Sequence, residues 1–161
     1  MKRNILTAAV RGTACILSLL LCGSYPAAAG NPADGSGTPA QTEITVNDGE
    51  MGTGLFQFEF SAGWVHEGGY PARFVGGDEH WSTTATSGAA LPSLTFRFSG
   101  TKVSLYGHKV PAGGMARVTI DGADAGVVDF YNAVRIEKTL LFESGILDDG
   151  DHTLQLQMLN D

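Results

Sequence analysis

The sequence predicts an all-β fold: an antiparallel β-sandwich of about eight to nine strands over residues 43–161, built without disulfides. Three observations predict it. Short apolar runs alternate with polar residues, glycine- and aspartate-rich turns separate them, and no stretch after residue 30 carries a helical period.

The clearest runs are Phe56, Phe58 and Phe60 around Gln57 and Glu59, and Leu94, Phe96 and Phe98 around Thr95 and Arg97. Ala116, Val118 and Ile120 alternate in the same way, as do Leu154, Leu156 and Met158. Such alternation sends one set of side chains to a buried face and the other to water. Shorter candidate strands are 44–46, 81–84, 103–106, 127–130 and 139–142. Ser99-Gly100, Asp121-Gly122-Ala123-Asp124 and Asp148-Asp149-Gly150-Asp151 supply residues that tolerate the positive φ of tight turns.

The first 29 residues read as a secretory signal peptide. Lys2, Arg3 and Arg11 precede an apolar run over 14–22, Pro26 breaks it, and Ala27-Ala28-Ala29 places cleavage before Gly30. That run is far shorter than the ~20 residues a bilayer span requires. A secreted protein, periplasmic or extracellular, is therefore expected. Cys22 offers a second fate, a lipid anchor, although the residue before a lipoprotein cysteine is normally small and Leu21 is not.

Cys15 and Cys22 both lie in this leader, so the processed chain has no thiol chemistry. Residues 30–42 begin GNPADGSGTPAQ, lack large apolar side chains and read as a flexible linker. Cleavage leaves seven basic against seventeen acidic residues, a formal charge of −10. An acidic surface without a basic cluster argues against nucleic-acid binding.

One connection is unusually long. Residues 61–80 carry paired glycines at 68–69 and 76–77 together with Trp64, His66, Tyr70, Phe74 and His80. Long connections inside compact domains are often functional.

Several motifs carry a family resemblance. They are the Phe-x-Phe strand before Ser61-Ala62-Gly63-Trp64, then His80-Trp81-Ser82-Thr83-Thr84, then Leu94-Thr95-Phe96-Arg97-Phe98-Ser99-Gly100-Thr101-Lys102-Val103. Val118-Thr119-Ile120-Asp121-Gly122 and Gly150-x-His152-Thr153-Leu154 complete the series. This succession resembles galactose-binding-like jelly-roll domains, the fold of many accessory carbohydrate-binding modules on secreted bacterial glycosidases and esterases. The resemblance covers roughly residues 43–158. It implies a jelly roll, a glycan or polysaccharide partner and an appended hydrolase domain. A structural calcium near the N-terminal strands is also common in such domains, and Asp48 and Glu50 are the only acids there that could echo it. The pattern further implies a strand beyond His152-Thr153-Leu154, so a fragment lacking its last strand or a domain with an unusual terminus is expected.

Sugar rings stack their C–H faces on flat aromatic side chains while polar groups take the hydroxyls. Tyr70, Trp81 and Trp64 are the candidate stacking residues, with Arg73, Asp78 and His80 as hydrogen-bond partners. Tyr131, with Asn132 and Arg135, offers a second loop that could meet the first. The plain alternatives are core packing for the tryptophans and a polar turn for the second loop.

Metal and catalytic signals are weaker. Asp148, Asp149 and Asp151 lack the spacing of a dedicated calcium loop, and four histidines at 66, 80, 108 and 152 are scattered. No G-x-S-x-G elbow, Gly-Asp-Ser nucleophile or H-E-x-x-H helix occurs. Glu67 and Asp78 can be paired on paper as a glycosidase dyad, whose chemistry turns on their separation. The expected function is thus a non-catalytic carbohydrate-binding module. A structural or protein-interaction sandwich at the cell surface is the alternative, with a cryptic hydrolase behind both.

Overall fold

A computed structural model describes residues 14–23, 42–74, 76–82 and 90–160. Among them there is no helix; eleven strands form two antiparallel sheets, a β-sandwich. In chain order these are β1 (Ala14–Gly23), β2 (Thr42–Val46), β3 (Gln57–Phe60), β4 (Trp64–Gly68), β5 (Asp78–Ser82) and β6 (Ser93–Gly100). They continue with β7 (Val103–Lys109), β8 (Met115–Ile120), β9 (Ala123–Asp129), β10 (Ile136–Glu143) and β11 (Gly150–Met158).

The five-stranded sheet runs β3-β6-β11-β8-β9 and follows directly from the alternating runs. Its registers set Phe58 opposite Phe96, Phe96 opposite Leu154, and Leu156 opposite Val118. Each of these residues is at most 2% exposed, so this face is dry. Against it the other sheet sets Val103 and Leu105, and Phe130 closes one end of the same core. The Phe58 and Phe96 rings lie 4.5 Å apart at a tilted angle, a packing that adds to their area burial. His152 anchors the start of β11: its Nδ1 lies 2.6 Å from Asp121 Oδ2 and its Nε2 lies 2.8 Å from the Asp148 carbonyl oxygen.

Every predicted run falls at least partly on a strand, residues 83–84 lying outside the described residues. Two further strands were not expected, which takes the count beyond eight to nine. The first is β4, placed by sequence inside a long loop. It is an edge strand whose last four residues are exposed, so no apolar alternation marks it. The connection from β4 to β5 accordingly shrinks to residues 69–77.

The second is β1, drawn from the apolar run read as a leader. The six-stranded sheet runs β10-β7-β1-β5-β4, with β2 also paired to β1. On one side Ile16 pairs with Gly107 and Leu19 with Leu105. On the other, Ala14, Cys15 and Ile16 pair with Ser82, Trp81 and His80, and Leu19 through Gly23 pair with β2. A continuous apolar run reads equally as a leader core or a strand buried within a sheet. The linker expected over 30–42 lies outside the described residues except for Thr42, which begins β2. Among the described residues no helix is long and apolar enough to cross a membrane.

Phe96 is fully buried between the sheets. Phe96→Ala should therefore lower unfolding stability by about 3–5 kcal/mol, measured by urea denaturation.

Candidate functional site

Register decides which face each candidate side chain occupies. Across β4 and β5, Trp64 pairs with Ser82, His66 with His80 and Gly68 with Asp78, whereas Val65 pairs with Trp81 and Glu67 with Glu79. Cross-strand partners share a face and neighbours along a strand do not. His80 also aligns through Ile16 with Gly107, one step from His108. Trp64, His66, Asp78 and His80 therefore form one set, turned toward the sandwich interior. Glu67, Glu79, Trp81 and His108 form the other, on the outer face. Glu67 and Asp78 stand on opposite faces and cannot flank one glycosidic bond.

The inner set is a polar cluster at the edge of the core, running from buried His80 out to exposed His66. Trp64 packs on Phe60, and its indole nitrogen donates to the Ser93 carbonyl oxygen at 2.9 Å. His80, 4% exposed, stacks between Phe60 at 4.1 Å and His66 at 4.6 Å. Its Nδ1 lies 2.5 Å from Asp48 Oδ2. His66 reaches Asp78 at 3.0 Å, and Asn47 donates to the other Asp78 oxygen at 2.7 Å. Burial pushes the Asp48 carboxyl up to about 6, against the lowering effect of its bond to His80. Two of the six expected ligand residues, Trp64 and His80, are thus engaged in packing and hydrogen bonds at the edge of the core.

Gly76 explains why a glycine pair follows the aromatic segment. Its φ is 71°, and a Cβ there would fall 2.3 Å from the Asn47 side-chain nitrogen. Any side chain would displace Asn47 from Asp78 as well as strain the turn.

Of the outer set, His108 lies under a cap formed by residues 69–74. Phe74 is buried against His108, ring centroids 5.7 Å apart, and Tyr70 meets Phe74 edge-on at 5.9 Å. The Arg73 guanidinium lies 5.4 Å from the Tyr70 ring, and that of Arg135 lies 5.8 Å from Phe74. Both arginines donate to one Glu137 oxygen, Arg73 at 2.7 Å and Arg135 at 3.1 Å. Lys138 donates to the Ala72 carbonyl oxygen at 3.3 Å. The segment after Phe130 does meet the aromatic segment, through Arg135, Glu137 and Lys138. Tyr131 does not join them: it is 53% exposed, and its backbone bridges to Val110.

Beneath the cap, His108 Nδ1 lies 3.3 Å from Glu79 and 3.4 Å from Arg135. Proximity to Glu79 would favour an imidazolium, but burial and then the Arg135 charge push the His108 pKa down to about 3. Burial at 1% side-chain exposure decides the matter, and the ring is neutral. Its Nε2 is buried with no hydrogen-bond partner among the described residues.

Glu137, Phe74 and His108 were missed as site residues by sequence. Phe74 and His108 lay within flagged residue sets; nothing in the sequence pointed to Glu137. Two clefts lie elsewhere, one of about 270 Å3 on the outer face of the five-stranded sheet and one of about 440 Å3 between Ile120 and Phe142. Neither is lined by an expected ligand residue. Among the described residues no group of three or more His, Cys, Asp or Glu could hold a metal ion. Compared with known proteins, the chain matches no family model and no curated sequence.

The two buried titrations act in opposite directions. Unfolded His108 binds a proton near pH 6.5, while the folded ring stays neutral to about 3, so this group's stability is lost as pH falls through that window. Folded Asp48 keeps to about pH 6 a proton that the unfolded chain releases near 3.8, so its contribution is greatest in acid and is lost as pH rises through 6. In urea melts from pH 7 to pH 4, His108→Gln should reduce the acid loss of stability and Asp48→Asn should increase it. Each change should be on the order of 2–3 kcal/mol.

Proposed function

We propose that this protein is a non-catalytic glycan-binding module, secreted after removal of residues 1–29, with a galactose-binding-like jelly-roll topology. One observation carries the reading: the cap sets a half-buried Tyr70 ring beside the Arg73 guanidinium, which shares one Glu137 carboxylate oxygen with Arg135. An aromatic ring next to oriented N–H donors suits a polyol ring, which offers apolar C–H faces and hydroxyl acceptors together. Trp81 lies on the same face two residues from Glu79 and extends the surface. Glycan is held by stacking and hydrogen bonds, and no bond is broken. The motif resemblance over residues 43–158 and the acidic processed chain agree with such a module attached to a hydrolase.

A protein-interaction role is the second reading, favoured by apolar side chains left exposed along edge strand β10 and beside it. Val134 is 70% exposed, Ile136 40% and Leu140 45%. Both readings keep the sandwich as a scaffold and place recognition on its surface.

Affinity-gel electrophoresis through a panel of soluble polysaccharides separates them. At least one glycan should retard the protein, and Tyr70→Ala, Arg73→Ala and Trp81→Ala should each weaken retardation tenfold or more while thermal melts stay cooperative. No retardation of the folded protein by any polysaccharide defeats the glycan reading and leaves the β10 surface as the place to look.

A further inference from the structure

The cap and the strand beside it bear on which sugars the surface patch favours. We propose that the patch selects acidic glycan: a hexuronate ring seated against Tyr70 sets its carboxylate on the terminal N–H groups of Arg73, in a positive field completed by Arg135 and Lys138. This deepens the glycan reading above and rests on it.

Charge placement is the first support. Residues 30–161 hold seventeen acidic and seven basic side chains. Of the basic ones, Arg97, Lys102 and Arg117 each sit against a carboxylate of their own, Glu59, Glu143 and Asp124, at 2.9, 2.9 and 3.0 Å. Arg73, Arg135 and Lys138 instead converge where the cap meets β10. The two arginines share one oxygen of Glu137, and Lys138 reaches a backbone carbonyl oxygen. Glu79 offers a second carboxylate, 3.7 Å from Arg135 and 3.3 Å from the neutral His108. Three cations thus meet two carboxylates on a chain where acids otherwise prevail.

More distant charges do not reverse this balance. Glu67 shares the outer face, but it lies on edge strand β4, on the side of Glu79 away from β7. The carboxylates whose charge acts on Arg73 are Glu137 first and Glu79 after it. Repulsion from the acidic remainder is screened in physiological salt, where the Debye length is about 8 Å. Groups in contact with the ligand therefore decide the sign.

Donor geometry is the second support. Arg73 meets Glu137 through Nε. Neither of its terminal nitrogens has a hydrogen-bond or ion-pair partner among the described residues, and its side chain is 41% exposed. Glu137 holds the guanidinium from behind and leaves the paired terminal N–H groups open, the arrangement that matches the two oxygens of a carboxylate. The guanidinium carbon stands 5.4 Å from the Tyr70 ring centre, beyond the ~4 Å of flat contact, so it does not lie flat on the ring. A hexuronate carries its carboxylate one bond from its ring, so a sugar against Tyr70 brings that group to the neighbouring guanidinium. A neutral hexose has a hydroxymethyl group there and gains a single, weaker bond.

Isothermal titration of the protein with oligomers of galacturonate and of glucuronate, each beside its fully methyl-esterified counterpart, isolates the carboxylate without altering the protein. At physiological salt at least one free acid should bind about tenfold or more tighter than its ester, as a charge-assisted hydrogen bond is worth that much. Arg73→Lys keeps the charge but loses the paired N–H groups, and should remove most of the preference. Tyr70→Ala should weaken acid and ester together, and Arg97→Gln, on the other sheet, should change neither. Thermal melts of all three variants should stay cooperative; the comparison of acid with ester needs no variant. Equal or tighter binding of the esters, or binding of neutral polysaccharide alone, overturns the acidic preference and leaves the glycan reading standing. An undiminished preference in folded Arg73→Lys places the selection elsewhere and also overturns it. Dextran sulfate or polyglutamate bound as tightly as the uronates reduces the patch to a plain anion site and ends the uronate assignment. Failure of every glycan, charged and neutral, defeats both readings.

Discussion

The backbone ladder of a single strand holds the six-stranded sheet together. β1 pairs with β7 along one edge and with β5 and β2 along the other. Without those bonds the sheet divides into β10–β7, β5–β4 and an isolated β2. The five-stranded sheet has no such dependence, because its registers come from alternating runs that bury Phe58, Phe96, Leu154 and Leu156 on one face. One half of the sandwich is fixed by side-chain burial and the other by main-chain pairing through one central element.

The surface cluster inherits this division. Tyr70, Arg73 and Phe74 belong to the β4–β5 side, whereas His108, Arg135 and Glu137 belong to the β7–β10 side. Side chains alone join the two groups across the outer face. Such contacts are individually weak when exposed, and Arg73 and Glu137 remain 41% and 30% exposed. The geometry of the patch therefore depends on the strand beneath it more than on the ion pairs above it.

Much of this was legible in the sequence, and the failures have definite causes. Period two located β3, β6, β8 and β11 because each has one dry face, and five shorter apolar runs marked further strands. β4 escaped because as an edge strand with exposed residues it has none. The inward turn of Trp64 and His80 could not be read, since Asp78–Ser82 buries residues on both faces and shows no alternation. The apolar run over 14–22 was legible as apolar, but a leader and a buried strand make the same demand on composition. The meeting of the two loops was visible as an expectation, while its members were not: Glu137 is an unremarkable acid until Arg73, sixty-four residues away, is placed beside it.

The cap over residues 69–74 also bears on how the main chain beneath it meets water. With Phe74 seated on His108 and Lys138 tied to Ala72, the outer face is covered where Ile16 pairs with Gly107. Solvent reaches the β7 backbone at that end only when those side chains lift, so exchange of its amide protons would report the opening of the surface patch rather than of the sheet.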